Sequence, residues 1–123
     1  MIFLLFAIAA AYDGLLGLVG LFGTEWFFRT VGVTPPNHPG YVQFPAALLV
    51  VFAIMFVAVA RDPAKNRGLI PYGMLLKVSY SGVVIYHWVT AGLPWVWKPF
   101  AVVDDVFLLL FAWAYVRLRS PAK

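Results

Sequence analysis

The chain has 123 residues, 63% of them hydrophobic and only 11% charged, and nine Lys and Arg against five Asp and Glu leave a formal net charge of +4. A soluble domain carries about 25% charged residues, and a chain this short needs polar groups over much of its surface, so soluble globular and disordered proteins are both excluded. With no Cys and two His, disulfides, redox thiols, thiolate metal sites and an imidazole-only metal centre are excluded too; no metal and no cofactor is assigned, and the positive charge reads as membrane orientation, with no nucleic-acid partner.

A helix needs about 20 apolar residues to cross the ~30 Å hydrocarbon core, and four stretches meet or approach that length. The first covers residues 2–22. Its start resembles the apolar part of a signal peptide, yet no Lys or Arg precedes it and apolar sequence runs on to Phe22, so it reads as a retained span. Gly14, Gly17, Gly20 and Gly23, with Ala10 one turn earlier, are the small residues that let helices in lipid approach closely. They predict a packing face, with a glycine-lined cofactor groove as the alternative.

Residues 23–43 connect to the second span. Trp26-Phe27-Phe28 predict a short helix lying at the interface, and Pro35-Pro36-Asn37-His38-Pro39-Gly40 then excludes helix. The second span covers residues 44–60, with Pro45 in its first turn, where a missing N–H costs nothing. Tyr41 and Gln43 mark its entry, as an interfacial anchor and cap or as part of a site. Ala46, Val50, Ala53, Val57 and Ala60 recur at helical spacing. Residues 61–69 are short and basic. The third span covers residues 70–91, and a tight turn over 92–99 carries Trp95, Trp97 and Lys98, an interfacial belt. The fourth covers residues 100–118, and residues 120–123 form a tail. The segments are too long for strands and lack a barrel wall's alternation. The expected fold is all-α: a single transmembrane domain, built as an integral membrane four-helix bundle with a short interfacial helix in its first loop.

Four spans put the N-terminus, the second loop and the C-terminus on one side. That side holds six basic residues (Arg61, Lys65, Arg67, Arg117, Arg119 and Lys123), and the other side holds Arg29 and Lys98. The positive-inside rule places both termini in the cytoplasm.

Ionisable residues inside a span cost about 2.5–3.5 kcal/mol each on insertion scales, so Asp13, Lys77, Asp104 and Asp105 each need a reason. On the third span, Gly73, Lys77, Tyr80, Ser81, Val84, His87 and Trp88 share one face at i, i+3, i+4 spacing. From the ~1.5 Å helical rise, Asp13 lies about 16 Å above the cytoplasmic edge, Lys77 about 10 Å, His87 about 25 Å and Asp104 and Asp105 about 22 Å. Two pairings follow: Asp13 with Lys77, and His87 with Asp104 or Asp105, of which only one can point fully inward. Such pairs either register the helices or form a proton-active or ligand-binding site in the outer half of the bundle, where His87, Asp104, Asp105, Tyr41 and Gln43 are the candidates.

The size, the four spans and the Gly-rich first helix, with Tyr12-Asp13-Gly14-Leu15-Leu16-Gly17, resemble the small four-span bacterial membrane proteins of the DoxX-like type. The resemblance implies a bacterial cytoplasmic-membrane protein, and the group's founding name is tied to a quinone-reducing oxidoreductase. That family typically has a basic residue early in its first helix, where this chain has Tyr12 and Asp13, and no functional residues carry over.

Two functions remain open. One is a non-enzymatic membrane protein, in contact with membrane lipids, that associates with itself or serves as accessory subunit of a larger membrane complex. The other is a small membrane enzyme or binding protein for a quinone, isoprenoid or other lipid-like ligand, using the buried Asp/Lys/His/Tyr cluster. No motif assigns a reaction.

Overall fold

The structure is a computed structural model that describes residues 1–118. Its α-helices are α1 (Ile2–Phe22), α2 (Thr24–Val31), α3 (Gly40–Arg61), α4 (Ile70–Thr90) and α5 (Trp97–Arg117), with a 3-10 turn at Arg67–Leu69, and no strand occurs among the described residues. The all-α class expected from the sequence is therefore found. Four helices, α1, α3, α4 with its leading 3-10 turn, and α5, are long and apolar enough to cross a membrane, so this is a multi-pass membrane protein. Arg119 and the tail at 120–123 lie outside the described residues. The chain divides into two compact units, one running to Arg61 and the other starting at Asp62.

In the first unit α1 packs antiparallel on α3. Phe6 meets Phe56, ring centroids 6.0 Å apart, and at the opposite end Gln43 Nε2 donates to the Leu21 carbonyl at 3.4 Å. The glycines of α1 make the contact. A Cβ at Gly17 would stand 2.7 Å from the Ala46 carbonyl oxygen and 2.8 Å from Val50, and one at Gly20 would stand 2.6 Å from the Ala46 Cβ. α3 fills the space over these residues, so they are a packing face and no glycine-lined groove forms there.

The helix expected in the first loop is α2. Thr24 Oγ1 donates to the Gly20 carbonyl at its start, and Glu25 in the first turn and Arg29 in the last suit the helix dipole. Its C-cap Gly32 has φ 72°, a left-handed conformation that favours Gly, and the Val33 N–H returns to the Phe28 carbonyl at 3.1 Å. The aromatic run, expected to face lipid as a whole, is divided: Trp26 is exposed, Phe27 half-buried and Phe28 buried, because successive helical residues point about 100° apart.

α3 begins at Gly40, not at residue 44. His38 Nδ1 accepts the Gly40 N–H at 2.9 Å, and the Pro39 carbonyl accepts the N–H groups of Val42 at 3.0 Å and Gln43 at 2.9 Å. The helix is thus started by the His38-Pro39 segment, and Pro45 falls inside it, past the first turn where it was expected.

In the second unit α4 and α5 form an antiparallel hairpin. The buried residues of α4 are Ile70, Gly73, Lys77, Ser81 and Val84; those of α5 are Ala101, Asp104, Phe107, Phe111 and Ala114. Each set recurs every three or four residues, one stripe per helix. α5 starts at Trp97, three residues before the expected 100, because the Pro94 and Trp95 carbonyls accept the N–H groups of Trp97 and Lys98. Pro99 then sits in the first turn, where it removes no helical hydrogen bond. The turn closes on Gly92, φ 79°, whose N–H reaches the His87 carbonyl at 2.7 Å.

Candidate functional site

The α4–α5 seam carries the chemistry of the second unit. Lys77 Nζ lies 3.2 Å from Asp104 Oδ1 in a charge-assisted hydrogen bond. Lys77 is 1% and Asp104 7% exposed. One α5 turn further on, the Phe107 ring centroid is 5.0 Å from the same ammonium, a cation–π contact. One α4 turn further out, Ser81 Oγ donates to Asp105 Oδ1 at 2.6 Å. Tyr80 Oη donates to the Trp97 carbonyl at 3.0 Å. Each of these contacts joins one helix to the other at a defined register; Lys77 supplies the charge in two of them, and the Ser81 and Tyr80 hydroxyls are uncharged donors.

Asp104 and Asp105 divide as helix geometry demands, with neighbours about 100° apart: Asp104 is buried, and Asp105 is half-buried. The expected partner of these carboxylates is corrected, however. His87 pairs with neither of them. Lys77 takes Asp104 and Ser81 takes Asp105. The physical reason is register. In an antiparallel hairpin with a short turn, the last turn of α4 lies opposite the first residues of α5, and His87 stands about 15 Å along the helix from Lys77. The earlier start of α5 and the length of the lysine side chain close the depth difference estimated between Lys77 and Asp104.

His87 is exposed, its ring edge-on to Tyr86 with centroids 5.2 Å apart. Trp88 is exposed as well, so the inward stripe of α4 ends at Val84 and does not continue through the last turn. His87 lines a hollow with Tyr80, Val84, Leu93, Pro94 and Trp97. Lys98 Nζ lies 4.8 Å from the Trp88 ring centroid.

The remaining candidates belong to the first unit. Tyr41 is 69% exposed and stands edge-on to His38, while Gln43 is tied to the Leu21 carbonyl. Gln43 thus ties the start of α3 to the end of α1, whereas Tyr41 stands exposed beside His38 at the start of α3. Asp13 is 1% exposed, on the buried face of α1 with Ala9, Ala10 and Gly17. Among the described residues no three His, Cys, Asp or Glu side chains gather as a metal site.

Two contributors escaped the sequence reading. Phe107 is three residues from Asp104, a spacing that signals a shared helix face. Arg67 Nε donates to the Tyr115 carbonyl at 2.9 Å, with its guanidinium carbon 3.7 Å from the Tyr115 ring centroid. No local pattern joins positions so far apart in the chain. Compared with family models, with curated proteins and with solved structures, the chain finds no match.

Proposed function

We propose that this is a small non-enzymatic integral membrane protein that acts through helix association, with a second copy of itself as its partner. The observation that carries the reading is Gly82. A Cβ there would meet nothing within 4 Å, whereas the glycines of α1 are closed over by α3. A glycine inside a helix costs roughly 1 kcal/mol relative to Ala, and lipid gives no return for it. Ser79 and Gly82 form an exposed notch on α4 between exposed Leu75 and Tyr86, the kind of surface that lets a second helix approach closely. The charges of the seam, meanwhile, are turned toward each other, which suits a role in registering α4 against α5.

Native mass spectrometry of the protein in mild detergent tests this. A dimer or larger assembly is expected, shifted toward monomer by Gly82→Leu. A monomer at all concentrations overturns self-association, and a stoichiometric different protein makes the chain an accessory subunit of a larger complex.

A second reading is favoured by the hollow at the end of α4. Its aromatic and apolar wall, with the exposed His87 imidazole as hydrogen-bond donor, suits the ring and carbonyl of a quinone or another lipid-like ligand. A ligand of that class retained in the same spectra, and lost on His87→Ala, makes the protein a lipid-ligand binder.

The proposed location is a bacterial cytoplasmic membrane with both termini cytoplasmic. The six-to-two distribution of basic residues supports the orientation, and the resemblance to DoxX-like proteins supports the membrane. Reporter fusions after Arg67 and after Lys123 are both expected to read cytoplasm; a periplasmic signal from either overturns the topology.

A further inference from the structure

We infer that His38 is a pH-dependent clasp at the start of α3: the neutral imidazole fastens the first turn, and the imidazolium releases it. The first N–H groups of a helix have no partner within it, and here the two preceding residues take them. The Pro39 carbonyl accepts those of Val42 at 3.0 Å and Gln43 at 2.9 Å, the His38 carbonyl accepts that of Tyr41 at 3.2 Å, and His38 Nδ1 accepts that of Gly40 at 2.9 Å. The last bond requires a lone pair on Nδ1, so the ring is neutral and carries its proton on Nε2. An imidazole takes up a second proton at about pH 6.5. Nδ1 then becomes a donor facing another donor, and the added charge stands at the positive end of the helix dipole. The bond is therefore present at higher pH and lost as pH falls through that range.

The residue at position 40 fits the same role. A Cβ on Gly40 would stand 3.0 Å from His38 Nδ1 and 3.3 Å from Cε1, so the ring can lie against this N–H because the position has no side chain. His38 is exposed, and protons reach it from water. Tyr41 is the titratable side chain packed on it, with ring centroids 6.2 Å apart; an uncharged phenol does not oppose an imidazolium, and its ring attracts one. Glu25 and Arg29, the charged groups of α2, are exposed and form no ion pair with His38 among the described residues. The turn that the clasp fastens also carries Gln43, whose bond to the Leu21 carbonyl ties α3 to α1. The device thus sits where those two helices are joined, and it operates with or without self-association.

The test uses the full chain in detergent, isotope-labelled at His and Gly and followed by NMR from about pH 8 down to about pH 5. The His38→Asn spectrum distinguishes the signals of His38 from those of His87. At the upper end His38 is expected to carry its proton on Nε2, with Nδ1 unprotonated. Exchange of the Gly40 amide with water, corrected for its intrinsic pH dependence, is expected to rise roughly fivefold as His38 protonates, the loss of one ordinary hydrogen bond. His38→Asn supplies a side-chain oxygen that reaches the N–H two residues on and does not titrate, and is expected to keep the Gly40 amide protected throughout. Gly40→Ala is expected to displace the ring and leave the amide at position 40 in fast exchange at every pH. A proton on Nδ1 at the upper end overturns the inference, as does a Gly40 amide whose corrected exchange does not follow the His38 titration. A pH-dependent rise that persists in His38→Asn overturns it as well. If Gly40→Ala disturbs the helix start in other ways, the unmodified chain and His38→Asn decide the matter by themselves.

Discussion

Lys77→Met is expected to destabilise the protein by roughly 3–5 kcal/mol, and Asp104→Asn by a similar amount, because each removes one member of a buried ion pair and leaves the other charge in a low-dielectric setting. The 3.2 Å contact and the near-complete burial of both residues are what make the effect large; an exposed pair contributes at most about 1 kcal/mol. Met retains much of the lysine's length, so the comparison isolates the charge better than truncation to Ala. Combining the two changes removes both charges and is expected to cost clearly less than the sum of the single losses, the signature of directly coupled residues. Thermal unfolding in detergent, followed by circular dichroism, checks this. Strictly additive losses contradict the coupling.

The second large effect separates two glycines of similar sequence setting. Gly17→Ala is expected to destabilise by roughly 1–3 kcal/mol, since the added Cβ needs backbone or side-chain shifts to be accommodated. Its nearest neighbour, at 2.7 Å, is a backbone carbonyl of α3, which cannot rotate away as a side-chain tip does. Gly82→Ala meets no neighbour within 4 Å in this chain and gains helix propensity, so in the monomer, at dilutions below self-association, it is expected to be neutral or to stabilise by up to about 1 kcal/mol. The same melting experiment reads both. A tolerated Gly17→Ala contradicts the close approach of α1 and α3, and a Gly82→Ala that strongly destabilises the monomer means that this position is already covered within the chain.

Span number, helix type and the aromatic helix of the first loop were readable along the chain. Composition and 3.6-residue periodicity act locally, and a membrane leaves the backbone no alternative to internal hydrogen bonding. The same periodicity separated Asp104 from Asp105 and put Lys77 and Ser81 on the inner face of α4. Helix ends were less accessible. The start of α3 depends on a side-chain cap from His38 and the start of α5 on the carbonyls of Pro94 and Trp95, and neither is a periodic signal.

Partner choice in the seam lay beyond the one-dimensional pattern. A helical stripe names the residues that face inward but not the register at which two stripes meet, and a shift of one turn moves a partner by about 5.4 Å. The turn at Gly92 and the early start of α5 set that register. They gave Lys77 to Asp104 and Ser81 to Asp105, and they left His87 at the end of the hairpin, beyond the reach of either carboxylate. The Arg67–Tyr115 contact has the same origin: two residues 48 apart in sequence meet because the hairpin brings the start of one helix to the end of the other. Chemistry and facing were local properties of the chain, whereas the pairing of charges required the antiparallel register of α4 and α5 in three dimensions.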